Sequence, residues 1–483
     1  MKLTTFVKAR RRTRRYDKER GCYVYDISFK TQAPLTERTI DVAEAFGIGV
    51  DEEHEHVLYR DFELKLAMGD VVYITGDSGS GKSVLLKAIK DDLGDEAAYM
   101  DELDAPKDAS IIDTVGGSFS EGLMLLSMVG LNDAYLFLRR YGELSDGQRY
   151  RYRIARLIDQ GKQYWLCDEF CSTLDRTTAK IVSYSLQKHA RRTGATLIVA
   201  TTHKDLALDL NPSVHIVKGW GREKEIKYTS NPTPRPCNVT KDATIRESTR
   251  DEYMQLGYLH YRDHKPPVPY KFYALDINND LAGVIAYSYS PVMAKGRKKA
   301  IGYAPKLDEL NRDWTTISRV IVHPKYRGTG LGSKLVKETL PLQGRRHVEL
   351  VAVMAQYNPF AEKAGMKRIL IKESHQSITR ALDQLKELGF NSSLLGSESN
   401  NRRKLQELDA MEMETLRSIL KKVSSQYYRR LSRQSRPYVR KQEYIDWLDE
   451  QDEMGLSKTL KTLSVLAQSK VYLYWCMDWE DEQ

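Results

Sequence analysis

No stretch of this 483-residue chain approaches the roughly 20 consecutive apolar residues needed to cross a bilayer. The opening residues, Met1-Lys2-Leu3-Thr4-Thr5-Phe6, lack the apolar core of a secretion signal. Cysteine is scarce. Five residues, an odd number without regular spacing, argue against a disulfide framework and for a reducing compartment. Cys167 and Cys171 lie close together, yet they flank an acidic pair inside a longer motif and do not stand as a metal-ligand set. These absences make the cytoplasm the expected location, with no membrane partner.

What is present describes a soluble globular protein, 41% hydrophobic and 29% charged. A chain of this length is too long for one core, so about two or three domains are expected. The net charge is +9, and part of it is concentrated. Arg10-Arg11-Arg12-Thr13-Arg14-Arg15 forms one basic stretch and Lys295-Gly296-Arg297-Lys298-Lys299 another. A third combines Lys421-Lys422 with Arg429, Arg430, Arg433 and Arg436. Each reads either as a solvated, solubilising face or as a grip on a polyanion. Together they keep a nucleic acid, DNA or tRNA, among the expected partners.

The chain is organised around Gly76-Asp77-Ser78-Gly79-Ser80-Gly81-Lys82-Ser83. Val71-Val72-Tyr73-Ile74 before it reads as a buried parallel strand, and Val84 to Ile89 after it as a helix. Between strand and helix, G-x-x-x-x-G-K-S is a phosphate-cradling loop. Gly76, Gly79 and Gly81 let successive N–H groups, including those of Ser78 and Ser80, turn inward onto phosphate oxygens. The helix N-terminus adds its positive dipole end. Lys82 is expected to reach the β and γ phosphates of ATP, and the Ser83 hydroxyl to ligate Mg²⁺. Upstream, Cys22 to Phe29 and Phe62 to Leu66 alternate like strands. Phe46 and Tyr59 are each either an adenine-stacking ring or a core aromatic.

Further along come Leu144-Ser145-Asp146-Gly147-Gln148-Arg149 and the apolar Tyr164-Trp165-Leu166-Cys167, which ends in Asp168-Glu169. Ser172-Thr173-Leu174-Asp175 follows, then the strand-like Leu197 to Thr202 ending at His203. In this order the motifs resemble those of ABC-type ATPases. The resemblance implies that Asp168 holds Mg²⁺ through water, that Glu169 polarises the attacking water and that His203 contacts the γ-phosphate. Asp175 joins the nucleotide-binding residues. Ser145, Gly147 and Gln148 would close over the γ-phosphate held by a second subunit, a homodimer through an ATP sandwich. Such chemistry needs positioning, a divalent cation and charge neutralisation. Two departures stand out. Asp146 replaces the family's glycine, and no glutamine lies between Ser83 and Leu144, leaving Asp101 or Glu102 as candidates for that place. The helical insert, roughly Ile111 to Tyr141, is short. With no membrane spans, this favours a soluble dimer that opens and closes with ATP over a transporter subunit.

Pro232, Pro234 and Pro236 mark a linker. Beyond it, Phe272 to Asp276 and Leu281 to Tyr289 read as a hairpin about Ile277-Asn278-Asn279-Asp280. Thr316 to Val322 reads as a strand. It leads through His323-Pro324-Lys325-Tyr326 into Arg327-Gly328-Thr329-Gly330-Leu331-Gly332 and a helix from Ser333. Main-chain amides and a helix dipole at that junction suit a pyrophosphate. The block from about Tyr253 to Met366 resembles the GNAT acetyltransferases, which implies acetyl-CoA at Arg327 to Gly332 and backbone contacts to its arm from Ile321 and Val322. Asn358 to Met366 is similar to that family's later helix, with Asn358 near the cofactor arm. The tyrosine common in the family should fall near Ala361 and is absent, Tyr357 being nearby but ahead of the helix. Glu349 and His260 are the candidate bases, each with a structural alternative as a salt bridge or buried ring. The pairing of the two domains resembles a known fusion, over roughly Thr39 to Lys367.

In the last third, Ser377 to Leu388 and the spacing of Leu405, Leu408, Met411, Leu416, Ile419 and Leu420 read as amphipathic helices, with Gly389 capping the first. Tyr427-Tyr428-Arg429-Arg430 reads as a stacking-and-charge grip or as a plain helical face. Val471 to Trp475 reads as a strand returning to a sheet. The expected architecture is α/β: an ABC-type P-loop ATPase over 1–230, a GNAT-like α+β domain over 231–375 and a small α-rich region over 376–483. The expected function is an ATPase that powers or gates acetyl transfer to an amine, on a nucleic acid in view of the charge. The alternative is a nucleic-acid-binding ATPase whose GNAT-like domain has lost transfer and serves as a binding or base-modifying module.

Overall fold

The computed structural model describes residues 9–19, 22–31, 36–49, 54–229, 235–260, 265–294, 296–372, 375–436 and 438–479. Pro232, Pro234, Tyr261, Arg262 and Lys295 lie outside them. By compactness the chain divides into two units. The first is Met1–Pro266 with Lys271–Ala286 and Arg319–Leu335, and the second Pro267–Tyr270 with Tyr287–Ser318 and Val336–Gln483.

In the first unit, β1 (Ala9–Asp17), β2 (Cys22–Thr31) and β3 (His54–Phe62) form an antiparallel three-stranded sheet. The strand expected over Phe62 to Leu66 lies earlier in the chain. Leu64 and Leu66 are half-buried against the core but belong to an irregular segment after β3. A second sheet runs β5-β6-β7-β4-β8-β9: β4 (Val71–Gly76), β5 (Ala97–Tyr99), β6 (Tyr164–Cys167), β7 (Thr196–Thr201), β8 (Val214–Lys218) and β9 (Lys224–Tyr228). All neighbours are parallel except β8 with β9. β4 is central, and Val71 to Ile74 are wholly buried, as a strand covered on both faces must be. Alternation sorts its side chains. Val71 and Tyr73 pack with the insert and the helices Asp146–Asp159 and Arg176–Thr193, whereas Val72 and Ile74 pack with Leu58, Tyr59 and the helix Lys82–Leu93. The insert holds a 3₁₀ turn, Ile111–Thr114, the α-helix Phe119–Met128 and the single α-turn Ala134–Phe137.

A third sheet has the order β10-β11-β12-β13-β14-β16-β15: β10 (Thr244–Ser248), β11 (Pro269–Ile277), β12 (Asp280–Tyr289), β13 (Trp314–Val322), β14 (His347–Ala352), β15 (Lys367–Lys372) and β16 (Lys470–Cys476). Asn278 and Asn279, at φ 51° and 67°, turn β11 into β12. β13 and β14 pair in parallel from Trp314↔His347 to Thr316↔Glu349. β16 returns as expected and lies antiparallel to both β14 and β15. Before it, helices Gln376–Glu387, Glu398–Gln406, Ala410–Lys421, Lys441–Asp449 and Glu453–Ala467 enclose their own apolar core. The periodicity from Leu405 to Leu420 is thus shared by two helices. Asp409 ends the run because its side chain and that of Glu412 cap a new helix reciprocally.

Candidate functional site

The loop after β4 is built on glycine. Gly76, Gly79 and Gly81 have φ 155°, 79° and 99°, and a methyl on Gly76 would stand 2.2 Å from the Lys218 carbonyl oxygen. No other residue fits there. The Lys82 ammonium crosses the loop, donating to the carbonyls of Gly76 at 2.9 Å and Asp77 at 2.7 Å. Burial lowers its pKa, against the opposing pull of Asp168 and Asp77. The Ser80 hydroxyl is buried without a hydrogen-bond partner, which fits a loop shaped to close on an anion. Ser78 and Ser83 are exposed beside it.

β6 delivers Asp168 and Glu169 at its carboxyl end. Asp168 Oδ1 accepts from the Glu169 N–H at 2.9 Å, and Oδ2 from the Tyr99 hydroxyl at 3.4 Å. Glu169 is exposed at φ 45°, a strained setting for a side chain that is not glycine. His203 lies two residues beyond β7, its N–H donating to Thr201 Oγ1 at 3.2 Å and its carbonyl accepting from the buried Tyr73 hydroxyl. Because β6, β7 and β4 are parallel neighbours, these groups and the loop share one end of the sheet. Ser145 caps the helix Asp146–Asp159 in a reciprocal box with Gln148, followed by the half-buried Gly147. Asp175 caps the helix Arg176–Thr193 through the N–H groups of Thr177 and Thr178. Asp101 pairs with Arg153 at 2.9 Å and Glu102 with Lys90 at 3.1 Å. Among the described residues no three His, Cys, Asp or Glu side chains group as a metal site.

The second loop follows β13. Ile321 is buried and Val322 half-buried, and the Val322 carbonyl accepts from Arg327 Nε at 2.8 Å. Gly328 and Gly330 have φ 86° and 90°. Thr329 ties back to the Tyr326 carbonyl at 2.7 Å, and Leu331 and Gly332 open the helix Leu331–Leu342. A methyl on Gly330 would meet nothing within 4 Å, so that side of the cradle is open. On the other side, within the first unit, the loop rests on the helical insert. Arg327 Nη1 donates to the Asn132 carbonyl and Oδ1, both at 3.4 Å. A methyl on Gly328 would lie 3.5 Å from the Met128 carbonyl and 3.6 Å from Ser185 Oγ. Arg151, on the helix capped by Ser145, donates to the Gly130 and Gly147 carbonyls, each at 3.2 Å. Burial lowers the pKa of both arginines.

Other expected residues are placed less favourably. Glu349 is wholly buried and its four acceptor sites are taken. Oε1 receives Arg297 Nη2 at 2.6 Å and Thr316 Oγ1 at 2.9 Å, while Oε2 receives Arg297 Nε at 3.0 Å and the Tyr472 hydroxyl at 2.7 Å. It is an anchor, not an accessible base. His260 closes the turn after the helix Arg250–Gly257 through its N–H to Gly257 O at 3.1 Å. Asn358 is exposed before the four-residue helix Phe360–Lys363, in which Ala361 is buried. Phe46 is 77% exposed on the helix Glu37–Phe46. Tyr59 is core, with no exposed surface and its hydroxyl on the Gly81 carbonyl at 3.1 Å. Tyr427 and Tyr428 are buried too, Tyr428 stacked on Tyr444 at 4.3 Å, so they offer no bases a platform.

Sequence reasoning passed over Asn132, Arg151, Lys218 and Trp220. Lys218 is buried and holds the β8–β9 turn by donating to the Gly219, Gly221 and Glu223 carbonyls. Trp220 at that turn is 62% exposed, and its ring would lie 3.7 Å from a methyl on Gly79. An aromatic between two glycines was the available signal for it.

The chain is similar to known proteins in two parts. Residues 239–366 match the family model of the acetyltransferase (GNAT) family. The cytochrome c biogenesis ATP-binding export protein CcmA of Gluconobacter oxydans is 31% identical over 193 residues, 36% of this chain and 86% of the relative. That of Reclinomonas americana is 29% identical, covering 32% of this chain and 82% of its own length. The lipoprotein-releasing system ATP-binding protein LolD of Leptospira interrogans is 28% identical, covering 34% and 83%. Among solved structures, a dimeric post-hydrolysis state of the ATP-binding cassette MJ0796 bound to ADP and Pi matches at 21% identity, covering 36% of this chain and 92% of that one, with a TM-score of 0.31. The chain therefore belongs to the ABC-type ATPases through its N-terminal part and carries a GNAT-family acetyltransferase domain at residues 239–366. Among the described residues no helix is long and apolar enough to cross a membrane.

Proposed function

We propose that the ATPase gates an acyl-CoA-dependent N-acyltransferase, with an amine on a nucleic acid as acceptor. The observation that carries this is the seating of the acyl-CoA loop on the ATPase insert, where Arg327 donates to Asn132 and a methyl on Gly328 would lie 3.5 Å from the Met128 carbonyl oxygen and 3.7 Å from that of Ser127. Arg151 joins that insert to the helix capped by Ser145, so a movement of the insert has a direct route to the loop. Lys82 and the loop amides would hold ATP, and Ser83 and Asp168 the Mg²⁺, which supplies charge neutralisation at the phosphates. Glu169 would orient the attacking water and His203 contact the terminal phosphate. Ser145, Gly147 and Gln148, at a helix N-terminus, suit the nucleotide of a second copy, giving a homodimer. Amides at Gly328 to Gly332 would take the pyrophosphate of acetyl-CoA, with Asn358 and the backbone of Ile321 and Val322 along its arm.

The test is acetyl transfer from labelled acetyl-CoA to total cellular nucleic acid, with and without ATP. Glu169→Gln is expected to cut ATP turnover about a hundredfold or more, as loss of a positioned base does, and to abolish the ATP dependence of transfer. ATP turnover unchanged in both Lys82→Ala and Glu169→Gln removes the reading. The buried Ala361, near where the family's tyrosine would stand, favours a second reading: a nucleic-acid-binding ATPase whose GNAT-like domain is a binding or base-modifying module that takes no acetyl-CoA. Micromolar acetyl-CoA binding by calorimetry rules that one out.

A further inference from the structure

Between β12 and β13, in the second unit, the chain makes an excursion from Tyr289 to Leu307 that the two cofactor loops do not use. It contains five basic residues, Lys295, Arg297, Lys298, Lys299 and Lys306, and meets its first acidic ones, Asp308 and Glu309, only in the helix Leu307–Asp313 that leads into β13. Lys298, Lys299 and Lys306 are exposed. Interleaved with them are large side chains a folded protein ordinarily covers: Val292 is 67% exposed, Met293 90%, Tyr303 49% and Leu307 56%. The base of the excursion is rigid. Arg297, 3% exposed, not only pairs with Glu349 but donates to the carbonyls of Val292 at 3.1 Å and Pro291 at 2.5 Å. A buried ion pair thus fixes the backbone immediately beside the two most exposed apolar residues. This is an odd investment for a solvated loop and a sensible one for a pre-organised contact surface.

We propose that this excursion is the platform for an unpaired stretch of polynucleotide, the strand that carries the acceptor. Lys298, Lys299 and Lys306 meet its phosphates, and Tyr303, with Met293 and Val292, meets its bases. Interleaved cations and apolar faces are the combination single strands select, since every base offers a stackable face and every linkage a charge; Glu309 accepts from the Tyr303 hydroxyl and holds the ring by its edge. The proposal rests on the nucleic-acid part of the preceding reading and names the surface for it.

The experiment measures binding of fluorescein-labelled oligothymidylate to the full-length chain by anisotropy across a salt series, with ATP turnover as a control for folding. In Lys298→Glu/Lys299→Glu, the slope of log affinity against log salt is expected to fall by about 1.4, from two phosphate contacts at about 0.7 each. Tyr303→Ala is expected to weaken binding about fivefold or more, and Tyr303→Phe to restore it, because stacking needs the ring and not the hydroxyl. Unchanged affinity and slope in these variants places the strand elsewhere, overturning this inference while leaving the nucleic-acid reading intact. No binding by the wild-type chain at low salt removes both. If anionic vesicles or polyglutamate bind as well as the oligonucleotide and Tyr303→Ala alters neither, the patch is a general polyanion surface and the platform is refuted.

Discussion

A carboxylate taken fully out of water costs several kcal/mol unless its lone pairs are all engaged, and Glu349 shows how this chain meets that cost. Arg297 donates two hydrogen bonds to it, and Thr316 and Tyr472 one each. Removing the charge leaves a buried guanidinium without its partner, so Glu349→Gln is expected to destabilise the protein by about 3 kcal/mol or more, read as a lowered denaturation midpoint. A catalytic base would instead lose turnover with stability intact, and the two results separate cleanly. Gly76 gives a second prediction. Gly76→Ala forces a side chain at φ 155° into the Lys218 carbonyl, so nucleotide binding should be lost together with about 1–3 kcal/mol of stability. Gly76 and its neighbours were legible because glycine, lysine and serine at fixed spacing between strand and helix have few other uses. Tyr59, Tyr427 and Tyr428 were not, because an aromatic's burial depends on which distant elements cover it.

At the scale of elements, the contact that matters joins segments nearly two hundred positions apart, and no local pattern announces it. Asn132 sits between the two helices of the insert and Arg327 opens the glycine-rich loop after β13. The sequence marked Arg327 by its glycine-rich context, whereas Asn132 stands in an unremarked turn. Asn132→Ala removes one acceptor for Arg327 while the Asn132 and Val322 carbonyls still hold it, so folding should be little affected. The expected outcome is ATP turnover within about twofold of wild type and a reduced effect of ATP on acetyl-CoA affinity. Coupling between sites is typically about 1–3 kcal/mol, so losing much of it appears as a several-fold change in the ratio of dissociation constants with and without nucleotide. Coupling retained in full would disconnect this contact from the gate. The same scale explains the errors of extent. Leu405 to Leu420 keeps one apolar stripe through two helices because both cover one core, and only the Asp409–Glu412 cap separates them. β16 could be foreseen as a strand from its alternation, but not its place between β14 and β15, which depends on the whole helical region folding back.

At the scale of the whole molecule, four histidines among the described residues are held at lowered pKa, in each case chiefly by burial: His189, His215 and His323 in the first unit and His347 in the second. Their surroundings suit the neutral ring. His215 Nε2 meets Thr75 Oγ1 at 2.9 Å, beside the phosphate loop, and His347 Nδ1 meets the Tyr474 hydroxyl at 2.8 Å. A folded pKa below the unfolded one means that the unfolded chain binds more protons. Stability is then fully present above about pH 6.5 and falls as pH drops through and below that value. Each histidine contributes at most about 1.4 kcal/mol per pH unit. Asp209, raised by burial, opposes the trend, being the more readily protonated in the folded state. Thermal midpoints should therefore be level from pH 8 to 7 and decline toward pH 5. His347→Gln and His215→Asn should each flatten the acid limb even where they lower the plateau. A midpoint that holds level down to pH 5 would mean that the four rings take up their protons without leaving the fold, and that burial does not keep them neutral.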